Sequence, residues 1–203
     1  VRPDRSWISR GLIGIVCLMG FGGLHLLNVW GYIPGFGGLL KLLAGAAALV
    51  VMTYQGFAMS HSTAISLWSS GLIPVSSLAY SATAGVMLLL AAAPESAQLM
   101  VPVALILHLC VLVVLLSLLH AARNGSPGAR KSAELLTRTL YAKYFFGLVF
   151  GAGLLLPILL LWFAGSVPLA AMIAAAGTLL GYYTFRLLIF KAGVFEPIMS
   201  FRP

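Results

Sequence analysis

Long apolar runs dominate this chain, and they constrain its fold more than any single motif. A helix needs about 20 apolar residues to cross the roughly 30 Å hydrocarbon core of a bilayer, because lipid offers the backbone no hydrogen-bond partner. Turn-forming residues such as Pro34, Gly35, Asn124 and Gly125 separate these runs. The sequence therefore predicts an all-α, polytopic transmembrane bundle, a single domain over residues 1–203. Its six spans are expected at residues 11–32, 37–59, 71–93, 99–122, 141–164 and 167–190.

The composition agrees with a membrane protein and excludes several function classes. Of the 203 residues, 61% are hydrophobic and 8% are charged, whereas an average soluble domain has about 25% charged residues. Small residues recur at 147–153 and 170–177, which predicts close approach of helix backbones. The chain contains no nucleotide-binding loop, paired carboxylates or Ser-His-Asp set, so a self-contained hydrolase or pump is not expected.

The basic residues predict how the bundle is oriented. In a six-span arrangement, nearly all of them fall on one side, and the opposite connections carry only Lys41, near a border, and Glu95. The net charge of +8 is therefore read as a sign of loop orientation and not of a nucleic-acid partner. The positive-inside rule places both termini, and His61 with them, in the cytoplasm. The residues on that side are Arg2, Arg5, Arg10, Arg123, Arg130, Lys131, Arg138, Lys143, Lys191 and Arg202.

A polar patch begins near the end of the second run and is the first candidate for a functional site. Tyr54 and His61 are seven residues apart, which on a helix is about 10 Å of rise on nearly the same face. With Gln55 and Ser60 they offer hydrogen-bond donors beside apolar surface, as a quinone ring and its tail require. His61 can also relay a proton. The alternative is that Tyr54 is an interfacial aromatic residue and His61 only caps the helix.

Arg186 is the only charge well inside an apolar run. An ionisable residue within a membrane span is by default a functional candidate, here as part of a quinone pocket or a proton path. The alternative is that its long side chain reaches the headgroups from a position about 7 Å from the helix end.

The histidines raise a second class of function, a haem-binding cytochrome, and the cysteines bear on whether the chain could hold a metal. A b-type haem needs two imidazoles at matched depth on facing helices, and the pairs His25 with His108 or His61 with His120 could supply them. Cys17 and Cys110 lack CxxC spacing and are read as small core hydrophobes. No metal or covalent cofactor is therefore expected from thiolates. A transporter or scaffold without a redox role is a third alternative.

Several short motifs resemble one family. Residues 54–89, YQGFAMSHSTAISLWSSGLIPVSSLAYSATAGVMLL, contain a Tyr-x-Gly-Phe helix end, a loop with Ser and Trp, a Leu-x-Pro step and a Ser-then-Gly helix. SWISRG at residues 6–11 and RLLIFKAG at 186–193 agree with this order. The chain resembles the NrfD/polysulfide-reductase membrane-anchor family. Upstream helices that supply quinone contacts in that family are missing from the six runs, so the site named here is expected to be part of a larger one.

This resemblance implies a membrane anchor of a respiratory oxidoreductase in a bacterial or archaeal cytoplasmic membrane. Such a subunit carries no cofactor of its own, binds menaquinone or ubiquinone, and exchanges electrons with an iron-sulfur subunit. That partner serves a catalytic subunit, often a molybdopterin enzyme. By position, the resemblance makes Tyr54 a quinone contact. In many relatives the iron-sulfur partner binds the extracytoplasmic face, whereas the basic residues place Tyr54 toward the cytoplasm.

Overall fold

A computed structural model describes residues 6–165 and 167–195, and six of its helical segments are long and apolar enough to cross a membrane. The all-α polytopic prediction is confirmed. Arg2, Arg5 and Arg202 lie outside the described residues. The helices are α1 Trp7–Val29, α2 Gly37–Ser60, α3 Leu72–Ala92, a 3-10 turn Pro94–Ser96, α4 Ala97–Arg123, α5 Pro127–Arg138, α6 Ala142–Tyr144, a π-helix Phe145–Leu155, α7 Leu156–Ala164 and α8 Pro168–Lys191.

Local chemistry explains where the first span begins and ends. The hydroxyl of Ser6 accepts a hydrogen bond from the backbone N–H of Ser9 at 3.4 Å, so α1 starts before the apolar run that predicted it. At the other end, Gly31 has a φ of +82°, a left-handed conformation that commonly terminates helices. The backbone N–H of Tyr32 then donates to the carbonyl oxygen of Leu27 at 2.9 Å. The span is therefore set by its caps as well as by hydrophobicity.

The helices pack unequally, and α1 lies at the periphery. It packs against α2, α2 packs against α3, and α3 contacts both α4 and α8. The π-helix and α7 continue α6 as one span and pack on α8. In α1 only Gly11 and Gly14 are buried, whereas the centre of the bundle buries Tyr80, Leu115, Phe145, Val149 and Phe185. Cys110 is exposed on the outer face of α4, so its assignment to the core was wrong.

Glycine permits the closest contact between the fifth and sixth spans. A methyl group added at Gly153 in the π-helix would lie 2.7 Å from the Cα atom of Gly181 in α8. Gly177 meets the carbonyl oxygen of Ala152 in the same interface. The backbones therefore touch directly, as the small-residue runs predicted.

Two segments between spans are more ordered than a simple loop. After α2, the indole N–H of Trp68 donates to the carbonyl oxygen of Ile189 at 3.0 Å, which fastens this connection to the end of α8.

The basic connection after α4 contains helix α5, which the pattern of apolar runs does not predict. Ser126 caps α5 by accepting from the N–H of Ala129 at 3.3 Å. Small or apolar residues form its buried face, namely Gly128, Ala129, Ser132, Ala133 and Leu136.

Candidate functional site

Tyr54 lies where α2 packs on α1. Its ring is half-buried and occupies the space beside Gly11, where any side chain at that glycine would collide with it. The backbone of α1 thus fixes the plane of the phenol ring. Among the residues that the structure describes, none accepts a hydrogen bond from the Tyr54 hydroxyl. The phenol is therefore positioned, yet its donor is free for a ligand.

His61 caps the end of α2 and is tied to the start of α1. Its Nε2 atom lies 3.1 Å from the indole Nε1 of Trp7, and its Nδ1 atom lies 3.2 Å from the carbonyl oxygen of Phe57. An indole N–H can only donate and a carbonyl can only accept, so the proton of neutral His61 is on Nδ1 and Nε2 is the acceptor. The Trp7 ring also stacks on Phe57 at 4.8 Å. Proton uptake at Nε2 therefore requires Trp7 to release it.

The other two residues of the predicted patch are placed less centrally. Gln55 is exposed on α2. Ser60 donates its hydroxyl to the carbonyl oxygen of Phe57 at 3.1 Å, within its own helix. Both lie at the same end of α2 as Tyr54 and His61. We call Trp7, Tyr54, Phe57 and His61 the aromatic corner.

Arg186 points into the bundle. It is half-buried, and its Nη1 donates to the hydroxyl of Ser77 in α3 at 3.4 Å. That hydroxyl in turn donates to the carbonyl oxygen of Met52 in α2 at 2.8 Å. The guanidinium also lies 5.7 Å from the centre of the Tyr182 ring. Arg186 thus connects three helices, and within the described chain no carboxylate pairs with it.

The same interface contains polar residues that the sequence reading missed. Tyr80 is 2% exposed and stacks between Tyr182 at 5.0 Å and Phe185 at 4.9 Å. Its hydroxyl is buried and has no partner in the described part of the chain. Ser81 lies 3.3 Å from the Tyr182 hydroxyl. A spacing of four residues, Ser77 with Ser81 and Tyr182 with Arg186, was the available signal, since such pairs share a helix face.

The predicted site residues therefore belong to two separate interfaces. The aromatic corner joins α1 to the end of α2. A second set of polar residues lies between α3 and α8, and we call it the buried polar interface. Its members are Ser77, Tyr80, Ser81, Tyr182 and Arg186. Tyr54 and His61 contact α1, whereas Arg186 contacts Ser77 of α3.

The histidines considered for haem are placed apart. His108 is fully buried, with Nδ1 at 2.8 Å from the carbonyl oxygen of Ala104 and Nε2 at 3.0 Å from the Thr178 hydroxyl. Both of its ring nitrogens are thus engaged, and it faces α8. His25 lies on α1, which packs on α2, and His120 contacts Asn124 near the end of α4. No cluster of three or more His, Cys, Asp or Glu side chains that could hold a metal ion occurs in residues 6–165 and 167–195.

A family model supplies the decisive comparison. The model described as polysulphide reductase, NrfD, matches residues 14–197, which is most of the 203-residue chain. The chain belongs to the NrfD family. No curated protein and no solved structure gives a significant match.

Membership of the NrfD family makes this chain a membrane subunit of the polysulphide reductase type or of a related reductase complex. The match begins after Gly11 and includes Tyr54, His61, Ser77 and Arg186. Both the aromatic corner, apart from Trp7, and the buried polar interface therefore lie within the family's own region.

Proposed function

We propose that this NrfD-family chain binds quinone or quinol at the aromatic corner and exchanges electrons with an iron-sulfur partner subunit that serves a catalytic subunit. The observation that supports this proposal most directly is the Tyr54 phenol. It is held against Gly11, and its hydroxyl has no acceptor among the described residues. A positioned donor without a partner, at the end of a membrane span, suits a carbonyl of a lipid-soluble ring.

The neighbouring residues fit the same ligand. Phe57 and Trp7 provide flat apolar surface at the end of α2, and aromatic faces stack on quinoid rings. Gln55 is exposed at this level and can donate to a second carbonyl. Menaquinol or ubiquinol would supply two electrons and two protons when it is oxidised to the quinone.

This chain's residues can position the ring and take up a proton. Tyr54 would orient the ring through its O–H, while His61 accepts a proton at Nε2 once the Trp7 N–H leaves that nitrogen. Ser60, whose hydroxyl is bonded to Phe57, lies next to His61 and can extend the proton path toward water. Arg186 would act from the buried polar interface by placing positive charge inside the bundle. The electrons would pass to the iron-sulfur centres of the partner.

The charge distribution supports a cytoplasmic position for this end of the bundle. Several basic residues lie at helix ends on the same side of the bundle as His61, namely Arg10, Arg123, Lys143 and Lys191. The positive-inside rule expects such residues in cytoplasmic segments. We therefore place the aromatic corner at the cytoplasmic side of a bacterial or archaeal inner membrane.

Replacing Tyr54 by Phe tests the proposal. The purified chain in lipid nanodiscs would be titrated with a short-chain naphthoquinone, and binding followed by quenching of tryptophan fluorescence. We expect Tyr54→Phe to weaken binding about tenfold, because it deletes one hydrogen bond worth about 1 to 1.5 kcal/mol. Tyr183→Phe is the matched control, since Tyr183 is 64% exposed on the outside of α8. Equal affinity in the two variants would contradict the aromatic corner as the quinone site.

Copurification distinguishes the proposal from its alternatives. The intact complex isolated through this chain should contain iron and acid-labile sulfide in a separate subunit. A Soret band that travels with this chain alone would instead support a cytochrome b. Isolation of the chain without any iron-sulfur partner would support a transporter or scaffold.

A further inference from the structure

Three arginines surround a small cavity where α4 meets α5. Arg123 ends α4, while Arg130 and Arg138 lie two turns apart on α5. Together with Glu134 and Thr137 they line a cavity of 140 Å³. A water molecule takes up about 30 Å³ in the liquid, so the cavity has room for a phosphodiester group.

The charge of this cavity is strongly positive. Its one carboxylate, on Glu134, is paired with Lys131 at 3.3 Å. The three arginines are exposed and have no carboxylate partner among the residues that the structure describes. Guanidinium groups form paired hydrogen bonds with the oxygens of a phosphate, which makes arginine the preferred residue for this recognition.

The surface of α4 below the cavity is apolar and outward-facing. Leu109 and Leu116 are 53% and 51% exposed, and they precede Arg123 at spacings of seven residues. Seven residues are nearly two helical turns, so these three side chains share one face. A groove of 740 Å³ between α3 and α4, lined by Leu78, Ile106, Leu109 and Val113 among others, continues this apolar surface. The arginine-lined cavity thus lies at the end of an outward-facing apolar stripe.

We propose that the cavity between α4 and α5 binds the phosphate headgroup of an anionic phospholipid whose acyl chains lie along α4. Basic clusters at the end of a membrane span attract the anionic headgroups of lipids. The apolar stripe explains why the ligand is an amphiphile and not a free phosphate. Helix α5, with its buried small residues and exposed arginines, supplies most of the headgroup contacts.

Lipid retention by the whole chain tests this site. The protein would be reconstituted in equal parts of phosphatidylglycerol and phosphatidylcholine, extracted into mild detergent, and examined by native mass spectrometry. We expect phosphatidylglycerol to be retained in preference, and Arg130→Gln to lower its retention about fivefold. Lys143→Gln is the control, because Lys143 is an exposed cation beside Tyr144 that does not line the cavity.

A second variant changes retention in the opposite direction. Glu134→Gln removes the only negative charge from the cavity and should raise phosphatidylglycerol retention, an effect that misfolding would not produce. Circular dichroism would verify the helix content of each variant. Equal loss in Arg130→Gln and Lys143→Gln, or equal retention of the two lipids, would overturn the proposal. So would stabilisation by inorganic phosphate alone, which would identify a free-phosphate site.

Discussion

The aromatic corner and the buried polar interface satisfy their polar groups in different ways. At the corner, side chains of α1 and α2 bind each other, as Trp7 does with His61, and the Tyr54 hydroxyl has no partner among residues 6–165 and 167–195, as is also true of the buried Tyr80 hydroxyl in the interface. In the interface, Ser77 connects Arg186 to the backbone of Met52. The corner involves the peripheral helix α1, whereas the interface joins two central helices. The comparison indicates that the interface stabilises the bundle, while the corner can adapt to a ligand at little cost in stability.

The contacts of α2 with α3 and with α1 should respond very differently to a methyl group added at the glycine in each contact. Gly56 faces the backbone of Pro74 in α3, which cannot move aside, whereas the atoms nearest to a methyl group at Gly11 of α1 belong to the ring of Tyr54. We expect Gly56→Ala to lower the free energy of unfolding by about 1 to 3 kcal/mol, measured by thermal unfolding in nanodiscs. Gly11→Ala should lower it less, because the phenol ring can rotate away.

Gly45→Ala is the control for this pair, since no atom would lie within 4 Å of the added methyl group and it belongs to the same helix as Gly56. It should leave stability unchanged or slightly raised. If Gly56→Ala unfolds no earlier than Gly45→Ala, the tight contact of α2 with α3 is wrong.

The buried polar interface should depend on Ser77 more than on its neighbour one turn away. Ser77→Ala removes the acceptor of Arg186 and the donor to Met52, and leaves a half-buried cation with fewer hydrogen bonds. We expect a loss of about 1 to 2 kcal/mol. Ser81→Ala removes a single contact to Tyr182 and should cost about 0.6 kcal/mol, the average for hydrogen bonds between membrane helices. Chemical or thermal unfolding would compare the two, and equal losses would show that Arg186 does not rely on Ser77.

At the aromatic corner we expect a smaller effect on stability than at Ser77. Trp7→Phe keeps a ring to stack on Phe57 but removes the N–H that donates to Nε2 of His61. Stability should fall by less than about 1 kcal/mol. Because Nε2 loses its donor and is open to accept a proton, quinol-coupled turnover of the intact complex, measured at one fixed pH, should exceed that of the natural protein. Turnover at or below the natural level would contradict the proposed role of His61 as proton acceptor.

Much of the fold could be predicted because exposing unpaired backbone groups to lipid is costly. Each span must therefore be a long apolar helix, and such runs can be recognised in the sequence alone. The apolar length of each run was enough to place the spans, even where a cap such as Ser6 moved a boundary. Helix α5 was missed because its exposed face is highly charged, although Ser126, Pro127 and the small residues after them follow a helical pattern. The π-helical turns of the fifth span have no comparable signal in the sequence.

The site was less predictable, because its contacts join residues far apart in the chain. The polarity and spacing of Tyr54 and His61 make them candidates in the sequence, but the residues they contact, Gly11 and Trp7, belong to α1. Arg186 was identified as unusual, yet whether it points inward or reaches the headgroups depends on Ser77, which is 109 positions away. The direction of the Arg186 side chain is therefore determined by tertiary packing.

The peripheral position of α1 has a mechanical consequence. This helix supplies both the glycine that holds the Tyr54 ring and the indole that holds His61, and it packs on α2 at the edge of the bundle. A tilt of α1 would release the phenol of Tyr54 and the imidazole of His61 together while α3 and α8 stay in place. An adjoining subunit that leans on the first span would thereby control access to the proposed quinone site.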